Sequence, residues 1–226
     1  MTAIRGISSM ATRQLLGELA AMYGKLSGVE SRIESVGGVD AAKRVQADEP
    51  FDVVVLASDA IDKLQQAGKL AGSRVDLVRS GVGIAVKAGS PQPDVSSEAA
   101  LKRAVLAAPT IGYSTGPSGT ALLKLFERWG LADIQSKLVQ ASPGIPVGSL
   151  VADGKAALGF QQLSELIHQP GIELLGAMPA GAEINTVFSG AVCATSTQPA
   201  AARELLLFMA SPPTADAKRR QGMEPA

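Results

Sequence analysis

Short apolar runs alternate along the chain with segments whose apolar residues recur every three or four positions. The run at 3–7 is followed by a helical pattern over about 12–25, and the β-branched run at 51–56 is typical of a buried strand. The pattern predicts further strands at 33–36, 75–78, 83–86, 110–113 and 156–160, and helices at 40–47, 60–67, 97–107, 121–129, 147–152, 163–167 and 199–210. This alternation predicts an α/β fold with mainly parallel sheets, in which Asp40 caps the second helix.

The second half of the chain repeats the order of elements of the first half. Residues 41–64 and residues 147–167 both run helix, polar turn, strand, helix. We therefore expect two similar lobes, with residues 1–81 and 190–226 in lobe 1 and residues 82–189 in lobe 2. Glycine-interrupted strands near 80–86 and 186–194 are expected to pass from lobe to lobe as a two-strand hinge that allows closure around a ligand.

Two predicted strands run directly into small hydroxyl residues that open a helix. Ser8 and Ser9 follow the first strand, and the segment 114–120, rich in Ser, Thr and Gly, follows the strand at 110–113. A helix start leaves backbone N–H groups without intrahelical partners and concentrates partial positive charge, so an anion is favoured there. If two such starts face each other, they form an anion clamp, and the expected partner is a small anionic ligand.

Composition excludes several classes of function. Lys and Arg number 21 and Asp and Glu number 21, so there is no net field to attract nucleic acid. Cys193 is the single cysteine and lies in an apolar run, which favours a buried small hydrophobe. His168 is the single histidine, which argues against a zinc or iron site, and no cofactor is expected.

The expected location follows from the apolar segments. No apolar stretch approaches the roughly 20 residues that span a bilayer, so no membrane insertion is expected. The chain as written shows no export signal, which predicts a cytoplasmic protein, or a periplasmic one if the sequence is a trimmed mature form. We expect a monomer.

The serial order of several short motifs resembles the molybdate-binding proteins of bacterial ABC importers, members of the type II periplasmic binding protein superfamily. The resemblance covers nearly the whole chain and rests on Ser8-Ser9, the run 41–47 with Pro50 and Asp52, Ala57-Ser58-Asp59, the segment 113–119 and Leu158-Gly159-Phe160. It implies a solute-binding protein that closes two lobes on an oxyanion, with an ABC permease as partner if the protein is exported.

In that family, serine hydroxyls and backbone N–H groups hold the oxyanion, rather than Lys or Arg. The resemblance places contacts at Ser9, at Ser118 and at a third loop, 144–147, which supplies a backbone donor. With the other predicted strand ends and helix starts, the expected ligand-binding set is Ser8, Ser9, Gly37, Gly38, Ser58, Ser114, Ser118, Gly119, Val147, Gln161 and Gln162.

Two positions depart from the family pattern. The family's serine after the second strand falls on Gly37-Gly38-Val39, and its tyrosine after the strand at 156–160 falls on Gln162. An amide offers two donors and an acceptor, and glycine frees space. A larger or less symmetrical anion, such as a di- or tricarboxylate, is therefore favoured over tetrahedral molybdate.

An isomerase is the main alternative, because aconitate isomerase is similar to the molybdate-binding proteins. Moving a double bond in a tricarboxylate requires one group that removes a proton and another that returns it. Glu165 and His168 are the candidates, against the simpler expectation of a solvated Glu165 and a His168 in a loop.

A serine hydrolase is a minor alternative. Residues 112–116 satisfy the Gly-x-Ser-x-Gly pattern around Ser114, and Asp153 and His168 follow in the order of a triad. The extra turn at 116–119 and the missing oxyanion-hole glycine run argue against it. The same loop lacks the Lys-Ser/Thr pair of a phosphate-binding P-loop.

Overall fold

The computed structural model describes residues 3–226, apart from the side chain of Ala132; Met1 and Thr2, with which the predicted lobe 1 begins, lie outside this description. Short 3-10 helices lie at Met10–Thr12, Ala132–Lys137 and Pro212–Thr214. The elements in chain order are β1 Ile4–Ser9, α1 Arg13–Ser27, β2 Ser31–Val36, α2 Gly38–Gln46, β3 Val53–Ala57, α3 Ser58–Gln66, β4 Leu70–Lys87, α4 Glu98–Ala107, β5 Ile111–Tyr113, α5 Pro117–Arg128, β6 Leu138–Gln140, α6 Val147–Ala152, β7 Leu158–Gln162, α7 Leu163–Leu166, β8 Ile172–Ala177, β9 Asn185–Cys193, α8 Pro199–Ala210, α9 Ala215–Arg220 and β10 Met223–Pro225.

The chain divides into two compact units. Unit 1 contains the residues up to Ser80 together with Thr186–Ala226, and unit 2 contains Gly81–Asn185. Strand β4 has residues in both units, and β9 begins at the last residue of unit 2. The lobe boundaries expected from the sequence, 81/82 and 189/190, remain a prediction.

Unit 1 is built on three parallel strands in the order β2-β1-β3. β9 joins antiparallel to β3, and β10 pairs antiparallel with β4. One face of this sheet packs on α1 and α8 through a cluster that includes Leu16, Leu19 and Leu206, and the other face packs on α2 and α3 through Val45 and Ile61. Cys193 lies in this second cluster, where burial raises the pKa of its thiol to about 12, as expected for an unreactive core residue.

Unit 2 repeats this plan with the parallel order β6-β5-β7. β4 and β8 are antiparallel partners in the same sheet. Its core contains Phe126 and Phe160, whose rings meet edge to face with centroids 6.2 Å apart. The predicted repeat is confirmed, because α2-β3-α3 corresponds to α6-β7-α7. The predicted parallel pairing is confirmed for β1, β2 and β3 in unit 1 and for β5, β6 and β7 in unit 2, and the antiparallel strands are additions to it.

The larger differences from the predicted boundaries are at β4, α2, α5 and β7. The strands predicted at 75–78 and 83–86 form one long strand, because β4 keeps pairing on both sides of Gly81. α2 begins at Gly38 with Gly37 as its N-cap, so Asp40 lies in the first turn and does not cap the helix. α5 begins at Pro117, whose fixed φ suits the first helical position, and β7 continues through Gln162.

Within residues 3–226, no helix combines the length and the apolar character needed to cross a membrane. The described residues also contain no group of three or more His, Cys, Asp or Glu side chains arranged to hold a metal ion.

Asp52 ties three separated segments of unit 1 together. Its side chain is 6% exposed and accepts hydrogen bonds from the backbone N–H of Arg5 at 2.9 Å, from Ser196 Oγ at 2.7 Å and from Gln198 Nε2 at 3.0 Å. Burial raises the pKa of Asp52, but the three hydrogen bonds and the charge of Arg5 outweigh burial and leave the pKa below its ordinary value. The carboxylate therefore holds the start of α8 against β1 and β3.

We predict that Asp52→Asn lowers the free energy of unfolding at pH 7 by about 2 kcal/mol, because one oxygen becomes an N–H group that faces donors. The pKa of Asp52 is lower in the folded protein than in the unfolded chain. The wild type is therefore more stable than Asp52→Asn by the full amount above the unfolded pKa of about 3.9, and this difference is lost as pH falls through the folded pKa. Urea unfolding at pH 7 and at pH 3 measures both effects. Ser196→Ala, which removes one bond, should cost about 1 kcal/mol; an Asp52→Asn protein as stable as the wild type would contradict this role.

Candidate functional site

The first three strands of unit 1 all end at one edge of the sheet. β1 pairs in register with β2 from Ile4 opposite Ser31 to Ser9 opposite Val36, and Ser8 lies opposite Val55 of β3. Each strand is followed within a few residues by a helix or a 3-10 turn. We call Ser9, Gly37, Gly38, Ala57 and Ser58 the carboxyl edge of unit 1. The carboxyl ends of parallel strands are where open α/β sheets bind ligands, and the free N–H groups of helix starts lie there.

Ser9 has a buried hydroxyl without a partner at this edge. The residue is only 8% exposed, and its Oγ has no hydrogen-bond partner among the described residues. It precedes the 3-10 turn, but its side chain does not cap that turn. A Cβ at Gly38 would lie 3.5 Å from Ser9 Cβ, so the start of α2 is next to this hydroxyl. Buried polar groups are nearly always satisfied, and a bound ligand would satisfy this one.

Ser8, by contrast, serves the sheet. It is fully buried, and its Oγ lies 2.8 Å from Ser35 Oγ and 3.3 Å from the backbone oxygen of Ser9. Side chains alternate along a strand, so Ser8 and Ser9 face opposite sides. The Ser8 hydroxyl therefore forms a bond between β1 and β2, and the expected ligand contact at Ser8 stays a prediction.

Ser58 opens α3, and its side chain is turned towards β9. Its Oγ donates to the backbone oxygen of Val187 at 2.9 Å and lies 2.7 Å from Ser189 Oγ. Ser189 in turn donates to Asp76 Oδ1 at 2.6 Å. No local sequence pattern marks Ser189, which meets Ser58 from 131 positions away, or Asp76, which meets Ser189 from 113 positions away.

The corresponding edge of unit 2 carries a pair of serines. Ser114 follows β5 and Ser118 lies in the first turn of α5, with their Oγ atoms 3.0 Å apart. The N–H of Gly116 also donates to Ser114 Oγ, at 3.3 Å. Gly119 permits this arrangement, because a Cβ there would lie 1.8 Å from the backbone oxygen of Ser114. The contact between the two hydroxyls uses one proton and leaves the other proton free for donation.

Gln161 organises the neighbouring strand end of unit 2. Its Oε1 accepts from the backbone N–H of Val147 at 2.8 Å, and its Nε2 donates to Glu165 Oε2. The Val147 N–H, expected to bind a ligand, thus donates to Gln161, whose amide keeps a second N–H proton. These bonds hold the start of α6 against β7, and the expected ligand contacts at Val147 and Gln161 stay predictions.

Glu165 is not the solvated residue that the simpler expectation described. It is partly buried on α7, and desolvation raises the pKa of its carboxyl to about 7, although the hydrogen bond from Gln161 acts in the opposite direction. Gln162, the last residue of β7, is 2% exposed, and His168 is exposed as expected. A carboxyl with a pKa near neutral can both release and accept a proton under ordinary conditions.

The proposed hydrolase triad gains no support from the geometry. Ser114 is hydrogen-bonded to Ser118, and Asp153 is exposed and paired with Lys155 at 3.0 Å. α5 begins three residues after Ser114 rather than directly after it, so the strand-to-helix turn of a nucleophile elbow is absent at this position.

Two units with the same strand order, each with helix starts at the carboxyl edge, define a type II periplasmic binding protein fold. The Azotobacter vinelandii periplasmic molybdate-binding protein has this fold, with a TM-score of 0.81 over 97% of this chain and 98% of that chain at 21% identity. The sulfate-binding protein of Mycobacterium tuberculosis gives a TM-score of 0.80 over 100% of this chain and 88% of that chain at 18% identity.

Residues 4–224 match the family of bacterial extracellular solute-binding proteins, and the chain belongs to this family. It is also similar to aconitate isomerase from a Pseudomonas species, with 39% identity over 232 residues that cover all of this chain and 88% of that protein.

We predict that Glu165→Gln stabilises the protein increasingly between pH 4.5 and pH 7.5, by on the order of 2 kcal/mol at the upper end. The folded pKa of about 7 lies above the unfolded value of about 4.3, so the wild type loses stability as pH rises through this window and loses no more above it. Glutamine keeps an acceptor for Gln161 and has no proton to lose. Urea unfolding of both proteins across the window measures the difference, and parallel stability curves would contradict the prediction.

Proposed function

We propose that the protein is a solute-binding protein for a small organic anion of the di- or tricarboxylate class. The observation that carries this proposal is the Ser9 hydroxyl, which is buried and unpartnered at the carboxyl edge of unit 1. A carboxylate oxygen accepts the hydrogen bonds that a hydroxyl and helix-start N–H groups offer, and such charge-assisted bonds are stronger than neutral ones.

Unit 2 supports the same ligand chemistry. The Ser114–Ser118 pair has one proton to spare, and Ser118 is 4% exposed in the first turn of a 12-residue helix. Neither the carboxyl edge of unit 1 nor the Ser114–Ser118 pair includes Lys or Arg, so the proposed anion recognition depends on directed hydrogen bonds and helix-start N–H groups. The zero net charge of the chain agrees with recognition that does not depend on a long-range field.

Two positions, Gly38 and Gln162, favour a larger ligand than a tetrahedral oxyanion. A Cβ at Gly38 would make only ordinary contacts, at 3.5 Å with Ser9 and 4.0 Å with Leu56, so glycine leaves space at this edge that a serine would fill. Gln162 supplies an amide where the resemblance places a tyrosine. The relatives named above bind molybdate and sulfate or isomerise aconitate, and all of these ligands are anions. The added space and the amide favour the carboxylates among them.

Transport through an ABC permease is the process in which we propose that this binding is used. The support is membership of the extracellular solute-binding family, which also favours a periplasmic location. Binding would deliver the anion to the permease, and no chemistry on the ligand is needed for that role.

A tricarboxylate isomerase is the second candidate, and Glu165 is the observation that favours it. A group with a pKa of about 7 can take a proton from the methylene carbon of an unsaturated tricarboxylate. The electrons of the broken C–H bond form the new double bond. The electrons of the old double bond form a C–H bond with a proton that returns to its far carbon. Atoms and charge balance without a cofactor. The 39% identical aconitate isomerase supports this candidate.

We predict that Ser9→Ala and Ser118→Ala each weaken binding of citrate or tricarballylate at least about tenfold, because each removes a charge-assisted hydrogen bond worth about 1.5 kcal/mol or more. Isothermal calorimetry at pH 7.5 measures the affinities, with sulfate and molybdate as tetrahedral competitors. Ser31→Ala is the matched control, because Ser31 also has a buried unpartnered hydroxyl but lies at the opposite end of β2. Affinities that are equal in Ser9→Ala, Ser118→Ala and Ser31→Ala would refute the site.

For the second candidate, we predict that the wild type incubated with cis- or trans-aconitate in deuterium oxide incorporates deuterium at carbon as the isomers interconvert. Glu165→Gln should bind aconitate but lose exchange by about a hundredfold or more, since an amide is no base. Proton NMR follows both signals. Glu173→Gln, an exposed position on β8, is the control and should keep exchange. Binding without any exchange in the wild type would exclude the isomerase and leave the solute-binding role.

A further inference from the structure

A chain of oxygen atoms lies behind Ser58 at the carboxyl edge of unit 1. Ser58 Oγ is 2.9 Å from the backbone oxygen of Val187 and 2.7 Å from Ser189 Oγ, and Ser189 Oγ is 2.6 Å from Asp76 Oδ1. The guanidinium of Arg74 approaches the same carboxylate oxygen at 3.1 Å. All of these residues belong to unit 1.

The number of protons in this chain restricts what Ser58 can do. A backbone oxygen and a carboxylate only accept, and each serine hydroxyl has one proton. Ser189 gives its proton to Asp76, because a charge-assisted bond is the stronger of its two choices and Arg74 stabilises the charge. Ser58 must then give its proton to Val187 or to Ser189. If Asp76 were protonated, the three protons would run along the chain to Val187, and the Ser58 proton would again be used.

The Ser58 hydroxyl is therefore an acceptor for anything that binds at this edge. The residue is partly exposed, so its remaining lone pair can be reached. A ligand atom that has only lone pairs would meet another lone pair there, which leaves the acceptor unsatisfied or repels the ligand. A ligand group that carries a proton would be bound.

Ser9 at the same edge has the opposite property. Its buried hydroxyl has no partner among the described residues and keeps its proton, and a ligand at the edge would satisfy it. β1, which ends at Ser9, and β3, which precedes Ser58, are neighbouring strands, roughly 5 Å apart in a sheet. The edge thus presents one hydroxyl that donates and one that accepts.

We infer that the oxygens of Val187 and Ser189, which take up the Ser58 proton, make Ser58 a specificity-determining acceptor that selects ligands bearing a hydroxyl or protonated acid group beside the anionic oxygens. This inference rests on the proposed anion-binding function and narrows its ligand class to hydroxy-carboxylates and protonated oxyanions. Fully deprotonated anions without a hydroxyl are bound less well.

Two matched ligand pairs test the inference. Citrate and tricarballylate differ by one hydroxyl, and hydrogen phosphate and sulfate are tetrahedral dianions of which only hydrogen phosphate carries a proton. Calorimetry on the full chain at pH 7.5 measures the affinities. In whichever pair binds, the member with the proton donor, citrate or hydrogen phosphate, should have an affinity about tenfold higher or more. Ser58→Ala should reduce the preference to about one, because it removes both the bond to the donor-bearing ligand and the lone pair that the donor-free ligand meets.

Two further variants separate selection from folding and from general binding. Ser9→Ala should lower the affinity for both ligands of a pair and keep the ratio of the two affinities. Ser189→Ala leaves the backbone oxygen of Val187 as the acceptor of the Ser58 proton, so the preference for the donor-bearing ligand should remain. A wild type that binds both members equally, or a Ser58→Ala protein that keeps the preference, would overturn the inference and leave anion binding intact. Absence of binding to all four probes would overturn the proposed function as well.

Discussion

The parallel register of β1 with its two neighbours is the constraint on which the candidate site depends. Pairing from Ile4 opposite Ser31 onward brings Ser9, Gly38 and the start of α3 to one edge. A slip of one residue would turn Ser9 to the face where Ser8 now bonds Ser35, and the buried hydroxyl would leave the edge. β5 holds Ser114 in the same way between β6 and β7, so the repeated topology produces the second set of donors.

Selectivity in such a site depends on protons more than on net charge. Serine hydroxyls look alike in a sequence, but here they differ in what they can still donate. Ser9 keeps its proton, the Ser114–Ser118 pair has one to spare, and Ser58 has none. Because an unpaired buried acceptor is as unfavourable as an unpaired donor, a small number of fixed hydrogen bonds behind the site can reject an ion that matches in size and charge.

The two candidate functions share a ligand class and differ in the role that they give to the carboxyl of Glu165. Gln161 holds both the start of α6 and the carboxyl of Glu165, so the position of a potential base is coupled to a helix start at the carboxyl edge of unit 2. A binding protein needs this carboxyl only as the hydrogen-bond acceptor of Gln161, whereas an isomerase uses its near-neutral pKa. The fold supports both uses, and the residues at the edge decide between them.

Periodicity and turn residues alone determined most of the elements, the α/β class, the repeat and the hydroxyl-rich helix starts, because these depend on residues close together in the chain. Ser9 and Ser118 could be identified as candidate contacts for the same reason. Tertiary structure decided which groups remain available. Ser8 is used by Ser35, Val147 by Gln161 and Ser58 by Ser189, 131 residues away. Burial likewise set the pKa of Glu165. Hydrogen-bond partners and desolvation come from segments distant in sequence, and no local pattern encodes them.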